Sequence, residues 1–466
     1  MPALRLPISR RHLLASTVVG SVGLILPTGA ANASTLPPAP GPTVTEQAPA
    51  PAAPATTLGG DSAFIAATAP SGDTSIRPFK YHATDAELAD LKRRIRETRW
   101  PDSETVNDNS QGVRLASMRK LADYWANHHD WRRSEANLFS YPNLITNIDG
   151  LDIHFIHVKS KHPNALPVII THGWPGSIIE QLKVIGPLTD PTAHGGTAAD
   201  AFDVVIPSLP GYGFSGKPTA VGWTVPRIAK AWDTLMKRLG YTRYVAQGGD
   251  WGNAISEVMA LQQPPGLLAI HTNMSATLPE AIRKALPAGP PPANLSPEEQ
   301  HAWNQLTDFY VHGLGYAIEM NQRPQTLYAL ADSPIGLASW MLDHDIQSYE
   351  LIARVFDGAQ EGLTRGDFLA NVTLYWLTNT AVSTARLNWE MRNSKAGFFD
   401  PRGVPLPTGV SAFRYEIYQA PESWARTAYP HLVFYRAHDK GTHFAAWEQP
   451  QLLPEHMRET FRSSRQ

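Results

Sequence analysis

One segment of the chain places a carboxylate between glycines at the end of a β-rich run: Gly248-Gly249-Asp250-Trp251-Gly252. Glycines two residues before and after a nucleophile let a strand and a helix approach closely, so the central side chain stands exposed on a sharp turn. A carboxylate can attack an electrophilic sp³ carbon and form an ester without first losing a proton. The pattern therefore predicts a covalent nucleophile at Asp250, although an aspartate here could also simply cap the following helix.

Two groups that could assist this carboxylate lie late in the chain. His443 follows the strand-like run 431–435. In enzymes with a nucleophile on such a turn, the base comes last in the chain, after the nucleophile and the acid. Glu416 ends the strand-like run 411–417 and could orient the imidazole. Asp439 is nearer to the histidine in sequence and is the competing orienting group. The position at the end of a strand favours Glu416.

A glycine-rich loop directly follows an apolar run at 167–171, with the sequence His172-Gly-Trp-Pro-Gly-Ser177. In enzymes with a nucleophile on such a turn, this loop and the residue after the nucleophile supply the backbone N–H groups that bind an oxyanion. We therefore predict that the amides of Trp174 and Trp251 are these donors. Taken alone, the loop could be only a tight turn.

The order of elements needed to hold these groups can be inferred from the patterns. Short β-rich runs at 151–158, 167–171, 203–207 and 243–247, with a helical pattern at 225–239, predict a mostly parallel sheet with helices on both faces. Two helices before these strands, one of which begins at a Thr84–Glu87 capping box, predict an N-terminal helical arm. A helical region inserted before the late strands predicts a lid over the strand ends, where open α/β sheets bind ligands.

The first residues indicate export. Arg10-Arg11, an apolar run to Leu26 and a small-x-small site at 31–33 are typical of a twin-arginine signal peptide, so the mature chain is expected outside the cytoplasm. The apolar run is shorter than the roughly 20 residues of a membrane-spanning helix, which argues against a stable span after cleavage. An uncleaved signal that anchors the protein in the membrane is the alternative. Residues 34–75 are rich in proline and alanine and are expected to form a disordered tether.

Composition excludes several classes of function. With a net charge of −2, the chain has no electrostatic attraction to nucleic acid or to anionic membranes. It has no cysteine, so thiol catalysis and thiolate metal sites are excluded. Gly211–Gly216 fits G-x-G-x-x-G but lacks the helix and acidic residue that a dinucleotide site needs. His154 and His157 lie three apart in a strand and face opposite sides, so we expect no metal there and no cofactor.

Several long motifs occur in one order: His172-Gly-Trp-Pro-Gly-Ser, Pro210-Gly-Tyr-Gly-Phe-Ser, Gln247-Gly-Gly-Asp-Trp-Gly, Leu374-Tyr-Trp, Ser411-Ala-Phe and His443-Phe-Ala-Ala-Trp-Glu. Together with Arg77-Pro-Phe-Lys near the N-terminus, they resemble the microsomal epoxide hydrolase family over about residues 76–461. The resemblance implies an α/β-hydrolase fold and the conversion of a small hydrophobic epoxide and water into a vicinal diol. It also implies a physiological role in detoxification or in the catabolism of aromatic hydrocarbons.

The resemblance assigns roles to individual residues. Asp250 would form a hydroxyalkyl ester, His443 with Glu416 would activate water, and the Trp174 and Trp251 amides would hold the oxyanion. The family uses two lid tyrosines as proton donors, and Tyr316 matches the first. Asn388 stands where the second is expected, and an amide cannot readily give up a proton near neutral pH. We therefore expect slow ring opening.

The expected domain organisation follows from these patterns. A signal peptide (1–33) and a tether (34–75) precede an N-terminal helical region (76–145). The α/β-hydrolase core (146–275 and 409–466) is interrupted by the lid (276–408). Two other functions stay open: a haloalkane dehalogenase with the same Asp–His–acid triad, favoured by the loss of the second tyrosine, and a non-catalytic binding protein.

Overall fold

The computed structural model describes residues 72–275, 277–286, 289–392, 399 and 403–465. The predicted signal peptide (1–33) and the tether up to residue 71 lie outside the described residues. Among the described residues, no helix is both long and apolar enough to cross a membrane.

The described strands form one sheet of nine, in the order β1-β2-β3-β5-β4-β6-β7-β8-β9. The first three strands and β5 pair antiparallel, and β5, β4, β6, β7, β8 and β9 pair parallel. This arrangement confirms the predicted mostly parallel sheet of the α/β-hydrolase fold. The strands are β1 (Arg77–Pro78), β2 (Asn143–Ile148), β3 (Leu151–Val158), β4 (Leu166–Thr171), β5 (Phe202–Pro207), β6 (Tyr244–Gly248), β7 (Leu267–Thr272), β8 (Thr408–Tyr415) and β9 (Leu432–Thr442).

Two groups of core helices pack against this sheet. Helix α5 packs with α6, and α4 packs with α16 and α17. Their bounds are α4 (Leu182–Thr189), α5 (Val225–Arg238), α6 (Trp251–Gln262), α15 (Glu422–Ala428), α16 (Ala445–Glu448) and α17 (Leu452–Thr460). The central strands carry apolar side chains on both faces; Val168, Ile169 and Ile170 of β4 are all fully buried. A strand covered by helices on both sides needs this continuous apolar pattern.

The N-terminal arm and the lid are helical. The arm contains α1 (Asp85–Arg96), α2 (Leu115–Asn127) and α3 (Trp131–Leu138). The lid contains α7 (Glu280–Ala285), α8 (Pro297–Asp308), α9 (Gly315–Gln322), α10 (Ala329–Asp332), α11 (Pro334–Leu342), α12 (Ile346–Phe356), α13 (Arg365–Thr378) and α14 (Ala381–Arg392). The predicted capping box at Thr84–Glu87 is formed, and a second one, Ser296–Glu299, begins α8.

The arm packs against the lid. Helices α1, α2 and α3 contact α11, α12 and α13 respectively, and Trp125 Nε1 donates to Thr373 Oγ1 at 3.0 Å. The arm also contributes β1 to the sheet, and the expected boundary at 145/146 falls inside β2. The arm therefore fixes the position of α13, which borders the site described below.

Candidate active site

Asp250 lies on the turn between β6 and α6, with φ +50° and ψ −127°. Few side chains adopt this conformation, so the strain marks a position held by its surroundings. A Cβ added to Gly248 would lie 2.1 Å from the Gly252 carbonyl carbon, and one added to Gly252 would lie 1.8 Å from the Thr171 carbonyl oxygen. The two glycines therefore allow the close strand–helix contact that the sequence pattern predicts.

The loop after β4 lies over this carboxylate. The Trp174 backbone N–H donates to Asp250 Oδ1 at 2.7 Å. A Cβ on Gly173 would lie 2.2 Å from the same oxygen, so only glycine leaves room for the carboxylate. Trp251, the other predicted amide donor, is the buried first residue of α6. The structure thus brings the Trp174 amide onto the nucleophile and places Trp251 next to it in the chain.

Lid helix α13 holds the carbonyl groups of the same loop. Asn371 Nδ2 donates to the Pro175 carbonyl at 2.8 Å, and the Tyr375 hydroxyl donates to the Gly176 carbonyl at 2.7 Å. Both side chains are almost completely buried. These contacts fix the orientation of the Trp174 N–H from the lid side.

His443 follows β9 directly and is paired with Glu416. Its Nδ1 lies 2.7 Å from Glu416 Oε1, and the side chains are 5% and 1% exposed. Glu416 Oε1 also accepts the Ile417 backbone N–H at 2.8 Å. Asp439, the competing orienting group, is exposed within β9. The structure therefore pairs the imidazole with Glu416.

The charges around His443 favour its protonated form. Burial lowers the pKa of His443, but the charge and hydrogen bond of Glu416 and the charges of Asp250 and Asp345 outweigh burial and raise that pKa to about 10. Asp250 is one of these charges, so its conversion to a neutral ester would remove part of the cause. More of the imidazole would then be in the neutral form, which can accept a proton at the step where a base is needed.

Tyr316 lies above the nucleophile and Asn388 lies on a neighbouring helix. The Tyr316 ring stacks on Trp174 with centroids 4.8 Å apart and an interplanar angle of 13°. Burial first, and then the charge of Asp250, raises the pKa of Tyr316 well above its usual value. Asn388 is buried on α14, which packs along α9, and its amide nitrogen finds no hydrogen-bond partner in the part of the chain that the structure describes.

Two buried groups beside the triad escaped the sequence analysis. His344 and Asp345 lie between α11 and α12, and the His344 ring centroid is 4.3 Å from that of His443. Glu180 is buried near the triad, and its burial, with the charges of Asp250 and Glu416, raises its pKa to about 8. No motif in the sequence marks Glu180. For His344, the flanking Asp343 and Asp345 were the one indication, because acidic neighbours commonly partner an imidazole.

Within the described residues, one cluster has the spacing of a metal site. One potential ligand atom from each of Asp250, His344 and His443 lies within 4.8 Å of the others. His154 and His157, set aside above as ligands, contact other groups. His154 Nε2 lies 3.0 Å from Asn143 Oδ1, and His157 Nε2 lies 2.8 Å from the Tyr241 hydroxyl.

The sequence and the fold match known proteins over most of the chain. Residues 76–181 match the family "Epoxide hydrolase N terminus", and residues 167–327 match the "alpha/beta hydrolase fold". The chain is 50% identical over 394 residues to "Putative epoxide hydrolase" of Stigmatella aurantiaca (strain DW4/3-1), covering 84% of this chain and 86% of that one. It is 35% identical over 399 residues to epoxide hydrolase 1 of Oryctolagus cuniculus, covering 82% and 87%. The chain belongs to the epoxide hydrolase family.

Solved structures of this family agree with the fold. The juvenile hormone epoxide hydrolase of the silkworm Bombyx mori matches with a TM-score of 0.73 and 29% identity, covering 84% of this chain and 96% of that one. The epoxide hydrolase of Aspergillus niger matches with a TM-score of 0.70 and 31% identity, covering 84% and 97%. This epoxide hydrolase therefore shares the fold of its relatives from the arm to the last core helices.

Proposed function

We propose that this epoxide hydrolase converts an epoxide and water into a vicinal diol through a covalent ester on Asp250. The observation that carries the proposal is the short contact between Asp250 Oδ1 and the Trp174 N–H, with the His443–Glu416 pair beside it. A carboxylate held against a backbone donor on a strained turn is placed to attack carbon, and its ester carbonyl would form close to that donor.

In the first step, an Asp250 oxygen attacks an epoxide carbon and the ring C–O bond breaks. The electron pair stays on the departing oxygen, which needs a proton. Tyr316 can provide it, since its ring lies flat on Trp174, whose backbone N–H contacts Asp250. The proton that His443 takes from water in the second step then returns to the Tyr316 phenolate. The high pKa that burial gives this phenol keeps the proton in place until an alkoxide develops.

In the second step, His443 takes a proton from water, and the resulting hydroxide attacks the ester carbonyl. The Trp174 and Trp251 amides stabilise the oxyanion, and the acyl–oxygen bond breaks to release the diol. Glu416 holds the imidazole in the required tautomer, because His443 Nδ1 donates to it. Attack on the carbonyl carbon leaves one oxygen from water in the Asp250 carboxylate.

Replacement of the nucleophile tests the first step. Asp250→Ala should show no turnover, and Asp250→Asn should be inactive at first and regain activity slowly as water hydrolyses the amide. His443→Gln should form the ester but not release it, so mass spectrometry should find Asp250 carrying the added mass of the epoxide. Normal turnover by freshly prepared Asp250→Ala would exclude this mechanism.

A turnover assay separates the epoxide reaction from the two other functions, haloalkane dehalogenation and binding without catalysis. Wild-type protein should be assayed with matched panels of small hydrophobic epoxides, including aryl epoxides, and of haloalkanes. Diol formation without halide release supports the epoxide reaction, and faster halide release would identify a dehalogenase. No product from either panel would favour a binding protein. Preference for aryl epoxides would support a role in detoxification or aromatic hydrocarbon catabolism.

We also propose export by the twin-arginine route, with the mature chain beginning near Ser34. The proposal rests on Arg10-Arg11, the short apolar run and the small-x-small site at 31–33. Cells that express the full chain should place it in the exported fraction, and Arg10→Lys with Arg11→Lys should retain it in the cytoplasm. Equal distribution of both versions would exclude this route, and a membrane-bound form of full length would indicate an anchor.

A further inference from the structure

A second histidine–carboxylate pair faces the nucleophile. His344 is 1% exposed, and its Nδ1 lies 2.9 Å from Asp345 Oδ2. Its Nε2 is buried and has no hydrogen-bond partner among the described residues. An unpaired polar atom in such a place costs stability, so it requires a reason. Its ring lies 4.3 Å from His443 and 5.1 Å from Tyr316, measured between centroids.

Asp345 is fixed so that it can orient this imidazole. Its Oδ1 accepts the Ser348 backbone N–H at 2.7 Å and so caps helix α12. Burial raises the pKa of Asp345, but the hydrogen bond from His344 and the charges of both histidines lower that pKa overall. A carboxylate behind an imidazole fixes the tautomer and the orientation of the ring, as Glu416 does for His443.

We infer that His344, positioned by Asp345, is a second proton donor for ring opening and takes the role that Asn388 cannot perform. This inference rests on the proposed function. His344 stands beside Tyr316 and within 4.8 Å of Asp250, which is where the departing oxygen must develop. Asn388 offers only an amide at the other donor position.

The protons balance if the two imidazoles share one. When His344 is the donor, its imidazolium protonates the departing oxygen while the Asp250–carbon bond forms, and Tyr316 donates a hydrogen bond to this oxygen but keeps its own proton. Ester hydrolysis then restores the carboxylate and the diol, and leaves one proton from water on His443. That proton returns to His344 across the 4.3 Å between the ring centroids, and the cycle closes without another acid.

The titratable groups that face His344 come from several elements. They are Asp250 on the turn after β6, His443 after β9, Tyr316 on α9 and the flanking Asp343 and Asp345. The charges of Asp250 and Asp345 are among those that raise the pKa of His443, so the pair of rings can hold the one proton that the cycle needs.

The test uses quench-flow with styrene oxide as the probe and mass spectrometry of the Asp250 ester, so that ester formation and hydrolysis are measured separately. His344→Gln should slow ester formation by about 10²-fold, the contribution of a positioned general acid, while hydrolysis changes much less. The matched control is the exposed lid pair His312–Asp308, at 2.8 Å; His312→Gln should leave both rates unchanged.

Asp345→Asn isolates the positioning role, because asparagine can still cap α12. Without the carboxylate, the His344 ring loses the charged acceptor that orients it. Ester formation should therefore slow in Asp345→Asn, and combining this change with His344→Gln should slow it no further than His344→Gln alone. A purely structural role for Asp345 would lower the rate in both backgrounds.

The double variant His344→Gln with Asn388→Tyr should recover ester formation, because a phenol would again supply the second proton. If Asn388→Tyr alone speeds ester formation but fails to rescue His344→Gln, the histidine acts in some other way and the inference is wrong. It is also wrong if His344→Gln forms the ester at the wild-type rate. Absence of any ester in the wild type would instead overturn the proposed function.

Discussion

Glu416 and Asp345 stand behind two neighbouring imidazoles, and the charge of Glu416 helps His443 to hold a proton. His443 must be neutral to accept a proton from water, yet the surrounding charges raise its pKa to about 10. Part of that increase comes from Asp250, and the ester has no charge. The first step therefore prepares the base for the second, a coupling that needs no movement of the protein.

Glu416→Gln should weaken the base more than it disturbs the structure. The amide has nearly the same shape, but it removes the charge that stabilises the imidazolium and the preference for the required tautomer. Loss of this function in a comparable triad costs about 10⁴-fold. We expect ester hydrolysis to slow by about 10²–10⁴-fold while ester formation continues, so that the Asp250 ester accumulates during turnover.

The control is Asp439→Asn, which changes the carboxylate nearer to His443 in sequence. Asp439 is exposed within β9, so both steps should keep their wild-type rates. Single-turnover kinetics on the two variants compare the candidates directly. Slow hydrolysis in Asp439→Asn with normal hydrolysis in Glu416→Gln would reverse the assignment.

The sequence pointed to Asp250, His443 and Glu416 because each lies at a position defined by the strand order. His344 has no such position. It lies between two lid helices, and its closeness to His443, about a hundred residues later, arises only when the lid packs over the core. Glu180 was missed for a related reason, because only the folded loop brings its carboxylate into the space above Gly176. A Cβ added to Gly176 would lie 2.0 Å from Glu180 Oε2.

At the level of elements, the contact between β4 and α6 sets the position of the nucleophile. Gly252→Ala would place a methyl group 1.8 Å from the Thr171 carbonyl oxygen, so the helix or the strand must move. Overpacking of this kind costs about 1–3 kcal/mol. We expect a lower melting temperature and a loss of activity larger than the loss of folded protein.

Gly366 provides a matched control for this substitution. It is the second residue of α13, as Gly252 is of α6, and an added Cβ would meet only Thr364 Oγ1 at 3.6 Å. Gly366→Ala should leave activity unchanged and keep or slightly increase stability, because alanine favours the helix. Equal effects of the two substitutions in thermal unfolding would disprove the steric explanation.

Helix α13 makes the lid part of the oxyanion site. Tyr375→Phe removes the hydroxyl that donates to the Gly176 carbonyl at 2.7 Å and leaves that buried acceptor unpaired. Such a loss costs about 1–3 kcal/mol. We expect reduced stability and a several-fold lower rate of ester hydrolysis. Tyr328→Phe, on a side chain that is 68% exposed, should alter neither quantity. Unchanged hydrolysis in Tyr375→Phe would show that α13 does not position the loop.

Most core elements could be predicted from the sequence, and the omissions have a common cause. Strand β7 (Leu267–Thr272) is a six-residue apolar run, and a run this short does not distinguish a strand from a buried helical turn. Strand β9 extends to Thr442, beyond its predicted end, because pairing with β8 holds polar residues such as Arg436 and His438 in extended form. Pairing partners are a property of the tertiary fold, so local patterns do not predict such extensions.

Across the whole molecule, buried titratable groups act on stability in two opposite directions. Burial lowers the pKa of eight described histidines below 6.5. Four of them reach about 4 (His129 and His172) or about 3 (His154 and His456). Burial raises the pKa of Glu180 to about 8 and that of Glu448 to about 7, from 4.5. Surrounding charges raise the pKa of His443 from 6.5 to about 10.

These shifts predict a maximum of stability near pH 6.5. Between about pH 4 and 6.5 the unfolded chain binds protons at four histidines that stay neutral in the fold, so stability falls as the pH is lowered. Two carboxyl groups oppose this effect but are outnumbered. Above pH 6.5 the histidine contribution is complete. The fold then still holds protons on Glu180, Glu448 and His443 that the unfolded chain has released, so stability falls as the pH rises toward 10.

Thermal unfolding at pH 5, 6.5 and 8.5 should therefore give the highest melting temperature at the middle value. Glu180→Gln copies the shape of the protonated acid without titrating, so it should reduce the loss between pH 6.5 and 8.5 while leaving the loss at pH 5 in place. Glu97→Gln, on an exposed side chain, should reproduce the wild-type profile, because exposed ion pairs contribute little. A melting temperature that keeps rising to pH 8.5 would mean that the buried carboxyl groups are ionised in the fold, and the coupling between His443 and its neighbours would then have to be assigned differently.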